Sequence, residues 1–298
     1  MPADHGGATD APLARGVRTL LLAAALLVFL AGVQLFVFTR RTDEYFAWTI
    51  ASPMTAVFLG ASYWSAVGLE VVAARSDRWS RARIAIPAVF VFTAITLVVS
   101  LHHLESFHLD DELPLRTRAV TWGWLTVYSV VPVLMLLAAL DQRRSPATPA
   151  PPPTGLPQPV RATLAALAVL LLGVGAALLV APEWADGAWP WPLTPLTARA
   201  VGAWLVGLGV AVVHARLIDD RPALRPLAVT GVLFGALQGV ALLRHGDELD
   251  GVRLQSIIYV LVLVVLTSVS AWVLWSEPAG RTGPEPGSEV GVGQQPRG

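Results

Sequence analysis

Residues 254–274 read LQSIIYVLVLVVLTSVSAWVL and carry no charged side chain. A bilayer core takes about 20 predominantly apolar residues of helix to cross, so this run reads as one membrane-spanning helix. Seven other runs meet the same standard: 17–38, 53–74, 84–101, 119–140, 162–181, 198–217 and 223–243. Of the 298 residues, 54% are hydrophobic and only 14% are charged, with a mean hydropathy of +0.60. A soluble domain carries about 25% charged residues. The fold class expected is therefore all-α, a polytopic membrane protein with eight transmembrane helices. The first span follows Arg15 and Arg18, as the core of a signal peptide would. It runs on through 33–38, beyond the ~7–15 residues of a signal core, and reads as a retained helix.

Several function classes fall away on composition. Basic and acidic residues balance at 21 each, which gives no electrostatic footprint for nucleic acid. There is no cysteine, so disulfides, thiolate chemistry and cysteine metal sites are excluded. Every basic residue is Arg, which excludes a lysine Schiff base. No phosphate loop, nucleophile elbow or dinucleotide fingerprint is present. The partner expected is the lipid bilayer, with a homo-oligomer or a membrane partner subunit left open.

Arginine placement orients the chain. Fourteen Arg fall in the termini and loops on one side of the eight spans and seven on the other. The positive-inside rule then places both termini in the cytoplasm, in what reads as a bacterial cytoplasmic membrane. Residues 1–14 and 276–298 read as disordered. A Pro-rich cytoplasmic linker, 145–160, separates the first four helices (15–144) from the last four (161–275).

The two halves resemble each other. At an offset of 142, Pro53, Thr55, Gly60, Asp77, Arg83, Phe92 and His103 match Pro195, Thr197, Gly202, Asp219, Arg225, Phe234 and His245. Tyr128 then matches Tyr259 at an offset of 131, after about eleven extra residues in the first half. The first and fifth helices align poorly. An even number of helices per half makes the expected repeats parallel, related by an axis along the membrane normal. In transporters, substrate sites lie at such interfaces.

Residues 48–64 read WTIASPMTAVFLGASYW. This run resembles a family of uncharacterised multi-pass membrane proteins of GC-rich actinobacteria. The resemblance covers mainly the second helix and the loop before it. It implies a membrane protein and carries no site residues with it.

Polar groups inside spans are the first functional candidates, because a charge at a helix centre costs ~2.5–3.5 kcal/mol. Glu70 is either a proton- or cation-coupling carboxylate facing the bundle interior or an interfacial residue paired with Arg75 or Arg78. Arg199 either snorkels to the outer interface, pairs with an outer-loop carboxylate, or holds a substrate anion. Gln238 and Gln34 are expected to hydrogen-bond across helices. Gly231, Gly235 and Gly239 recur every four residues, a spacing that clears one helix face for packing or for a pathway. Trp184, Trp189 and Trp191 read as a loop at the outer membrane interface.

A second cluster gathers at the outer ends of the third and seventh helices: His102, His103, His108 and His245 with Glu105 and Asp247. Imidazole with carboxylate suits a divalent metal, and neutral imidazole suits haem iron. A pH-sensitive surface or a plain solvated rim are the other readings. His103 and His245 are expected at matching depth. The functions carried forward are a small-molecule or ion transporter, a membrane-bound metal or haem redox protein, and a scaffold subunit without chemistry of its own.

Overall fold

The computed structural model describes residues 9–150, 152–183, 187–249, 251 and 253–276. Eight helices are long and apolar enough to cross a membrane. They are α1 (Arg15–Gly32, continued by a π-helical turn Val33–Val37), α2 (Pro53–Ala74), α3 (Ala85–His102), α4 (Leu115–Gln142), α5 (Gln158–Val180), α6 (Pro195–Ile218), α7 (Arg225–His245) and α8 (Leu254–Trp275). Each covers an expected span to within four residues. The boundaries have local causes. Ser52 caps α2 by accepting from the Thr55 amide, and Thr194 caps α6 by accepting from the Thr197 amide. In both, proline occupies the first helical position, where the missing N–H costs nothing. The α6 helix stops at Asp219, whose φ of 48° is left-handed.

The start of α1 meets the ends of α2 and α4. Leu13 N donates to Asp77 O, and Ala14 N donates to the Gln142 side chain at 2.8 Å. The end of α8, at Val273 and Leu274, lies beside Arg75 and Arg221 around one hollow. We call this the terminal face. Residues 9–14, expected to be without structure, are tied to it. The Asp10 carboxylate accepts from the Ala11 and Ser80 amides and from the Ser80 hydroxyl at 2.6–2.9 Å. A two-residue strand β1 (Thr9–Asp10) pairs antiparallel with β2 (Thr148–Pro149) from the Pro-rich connector. The expected disorder of residues 1–8 and 277–298 lies outside the described residues.

Small residues decide the packing. α2 lies against α1 and α7, while α6 lies against α5 and α3. Gly60 of α2 abuts the backbone of Leu35 and Phe36, and Gly202 of α6 abuts Leu178, Leu179 and Gly175 of α5. Gly68 of α2 faces Val229 and Leu233 of α7. Two of the three spaced glycines of α7, Gly231 and Gly235, meet Ser270 and Thr267 of α8, while Gly239 has open space. Gly231 and Gly235 therefore serve helix packing, and Gly231 also borders an internal cavity.

Similar contacts occur in the first four helices and in the last four. Arg18 bridges Asp77 at 3.9 Å and Arg161 bridges Asp219 at 3.3 Å. Leu13 N bonds the Asp77 carbonyl, and Leu156 N bonds the Asp219 carboxylate. Short helical turns stand at Trp79–Ala82 and Arg221–Leu224, and further turns follow α3 and α7 at Leu104–Ser106 and Gly246–Glu248.

Overpacking a helix contact costs about 1–3 kcal/mol. Gly202→Leu is expected to lower the melting temperature of the detergent-solubilised protein. Gly123→Ala, on α4 where nothing lies within 4 Å, is expected to leave it unchanged or slightly raised. Tryptophan fluorescence during heating reads both, and equal effects would contradict the packing.

Candidate functional site: a carboxylate in an apolar cavity

Glu70 stands on α2 five residues before Arg75. At ~1.5 Å per residue, that puts it about 7 Å inside the terminal face. It is 1% exposed, and its Oε2 is buried without a hydrogen-bond partner. Neither Arg75 nor Arg78 forms an ion pair with it among the described residues. The interfacial pairing expected as one alternative is therefore absent. Leaving a buried polar atom unsatisfied costs about 1–3 kcal/mol, more for a charged group.

Glu70 borders a cavity of about 300 Å³. Residues of the first four helices contribute most of its wall, and α6 and α7 close it from the other half. Aromatic rings dominate: Phe58, Tyr63, Phe92, Trp124, Tyr128, Trp204 and Phe234. They hold one another in place. The Tyr63 and Tyr128 hydroxyls share a hydrogen bond of 2.6 Å, and the Trp124 indole N–H donates to Ser100 Oγ at 2.9 Å. The Trp204 ring lies 4.2 Å from Phe92 and 5.0 Å from Tyr63, centroid to centroid. Ser62, Ser65, Thr93, Thr230 and Gln34 supply the remaining polar groups. Ser62, Ser65 and Thr230 hydroxyls are each spent on a backbone carbonyl of their own helix. Gln34 lies within the π-helical turn that ends α1; such turns often mark functional sites.

Gln238 is not a cavity residue. Its amide donates to Phe58 O and accepts from Tyr259 Oη, binding α2, α7 and α8 together. Among the described residues Arg199 forms no ion pair with a carboxylate. Its Nη1 lies 2.7 Å from His103 Nε2, and its Nε donates to Leu179 O at the end of α5. Since guanidinium only donates, His103 Nε2 accepts, and the lone pair a metal would use is occupied.

The outer histidines do not converge. His102 is exposed with its ring 4.8 Å from that of His103. His103 Nδ1 lies 3.9 Å from Glu105 Oε1. His108 is engaged at both ring nitrogens, by Thr49 Oγ1 and Phe46 O. His245 is buried with Nε2 unpartnered, and Asp247 is exposed. Among the described residues no group of three or more His, Asp or Glu side chains is placed to hold a metal ion.

The tryptophan loop also departs from expectation. Trp191 is 2% exposed and donates to Thr55 Oγ1 at 2.9 Å, and Trp189 is buried beside it. Both pack on Phe58 and Tyr259 inside the bundle, not at an interface. Trp184 lies outside the described residues. Phe46 and Trp48 enter the first half in the same manner and pack on Trp124. The cavity aromatics were not singled out from the sequence. Phe92, Phe234 and Tyr128 stand out in the sequence only as positions shared by the two halves.

No protein-family model, curated protein or solved structure matches the chain.

The His103 imidazole is held below its usual range, first by burial, then by the Arg199 guanidinium and His102, with Glu105 opposing. A lowered folded value means that the unfolded chain takes up the proton first, so stability is lost as pH falls below about 6.5. Melting temperature is expected to fall from pH 7 to pH 5. His103→Gln, whose amide oxygen accepts from Arg199 without titrating, is expected to flatten that fall; an unchanged slope would remove His103 from the account.

Proposed function

We propose that this protein is a small-molecule transporter in which Glu70 exchanges a coupling proton or cation. The observation that carries the proposal is the unpaired Glu70 carboxyl on the wall of a cavity bordered by both halves of the chain. Ionisable residues within a membrane span are costly, and they mark ion and substrate pathways.

Two features support the accompanying architecture of parallel four-helix repeats. The paired Arg–Asp bridges and paired turns recur at offsets of 142 and 143 residues. The packing of α2 on α7 is also mirrored by that of α6 on α3. The likeness in residues 48–64 adds the bacterial cytoplasmic membrane as the site of action. A hollow of about 440 Å³ on the terminal face, bordered by Arg75, Arg81, Arg221 and Arg225, supports a cytoplasmic position for that face.

The test uses inside-out membrane vesicles carrying the wild type, Glu70→Gln or no added protein. They are energised with a pH gradient and their contents compared by mass spectrometry. At least one solute is expected to accumulate severalfold in wild-type vesicles alone. Identical contents in all three would contradict the proposal.

A further inference from the structure

The cavity's wall and its opening identify what it takes. Its single ionisable carboxylate has one oxygen bare of partners, and seven aromatic rings surround the space. Tyr63 and Tyr128 are the other titratable groups on the wall, and each hydroxyl is engaged by the other. No Arg or His borders the cavity. An anion would find no counter-charge there. A cation would find a carboxylate and the negative faces of aromatic rings, which attract cations by about 0.5–2 kcal/mol each.

The opening is sideways. α1 and α4 touch near the terminal face, where Gly16 lies beside Asp141 and the Ala14 amide bonds Gln142. Farther from that face both helices border the cavity, through Leu27, Leu30 and Ala31 of α1 and Val120, Gly123 and Val127 of α4. Leu30 is 49% exposed, and Gly123 is exposed with nothing within 4 Å of its missing side chain. These residues lie within membrane-crossing helices, so this side opens onto lipid and not onto water.

We propose that the cavity binds a lipophilic cation, an apolar body carrying one positive charge, which reaches it from the bilayer between α1 and α4 and pairs with Glu70. This substrate class rests on the transporter reading above. The apolar body replaces lipid contacts with ring contacts. The charge meets the one carboxylate on the wall, an oxygen of which lacks a partner. A volume of about 300 Å³ is within the range of small-molecule sites.

The probe is tetraphenylphosphonium, with triphenylphosphine oxide as a neutral comparator of similar shape. Saturable binding is measured on the full-length protein in lipid nanodiscs. Tetraphenylphosphonium is expected to bind once per chain, at least tenfold more weakly to Glu70→Gln, with partial recovery in Glu70→Asp. The neutral comparator is expected not to saturate. Gly123→Trp, at an exposed position with nothing within 4 Å and therefore tolerated by the fold, is expected to slow association severalfold at unchanged melting temperature. Absent binding, or equal affinity in Glu70→Gln, would overturn the cation site. An unchanged association rate in Gly123→Trp would overturn the lateral passage. Binding of the probe without its accumulation in energised vesicles would count against transport and leave the site standing. Glu70-dependent accumulation of some other solute without probe binding would do the reverse.

Discussion

Helix α2 is the most enclosed of the eight: most of its residues are buried, and from Pro53 to Ala74 none is exposed. In a bilayer, helices gain little from hiding apolar surface, because lipid tails are as apolar as leucine. Close approach must supply the attraction instead. Gly60 admits the backbone of α1, and Gly68 admits α7. The rest of the first half arranges itself around this contact. With α2 enclosed, any polar group on it must be satisfied within the protein or stand unsatisfied. Ser62 and Ser65 turn to their own helix. Tyr63 finds Tyr128. Glu70 Oε2 finds nothing, and it lies where the aromatic packing leaves a space.

The same enclosure explains the ends of the bundle. Away from the terminal face, the segments before α2 and α6 turn inward and lodge Phe46 with Trp48, and Trp189 with Trp191, among the helix ends. At the terminal face, buried Asp10 fastens the chain before α1 to the turn at Ser80. Asp219 fastens the chain before α5 by accepting from Leu156 and Arg161. The Leu156 amide and the Arg161 guanidinium hold the Asp219 carboxyl below its usual range. The connecting segments are thus anchored by polar contacts at the rims, while within the bundle a few buried hydrogen bonds, those of Gln238 with Phe58 and Tyr259 and of Tyr63 with Tyr128, add to the fit of shapes.

The spans were legible because length and apolarity alone decide them; 53–74 matches α2 at both ends. Glu70 was legible as an anomaly, since any carboxylate in such a run is conspicuous. Its surroundings were not, because Tyr63, Trp124 and Trp204 come from three helices whose facing depends on glycine contacts. The partner of Arg199 was hidden for the same reason: His103 reaches it only because α3 packs on α6. The tryptophan loop misled because an interfacial Trp and a buried Trp look alike in sequence. Thr55, which accepts from Trp191, is 136 residues away. Nor did the sequence show that Gly60 would admit Leu35 and Gly202 would admit Leu178, since each contact joins helices whose facing depends on the fold.

The central claim is that the Glu70 carboxyl is bare, apolar in its surroundings and reachable from lipid. Dicyclohexylcarbodiimide, an apolar reagent that partitions into bilayers and modifies carboxyl groups, tests this directly. Native membranes are treated with it and the chain is digested and mapped by mass spectrometry. Modification is expected at Glu70 ahead of the other 20 acidic residues, most of which lie in water-facing loops, and tetraphenylphosphonium is expected to protect it. Labelling spread over the loop carboxylates, with Glu70 untouched, would contradict the account.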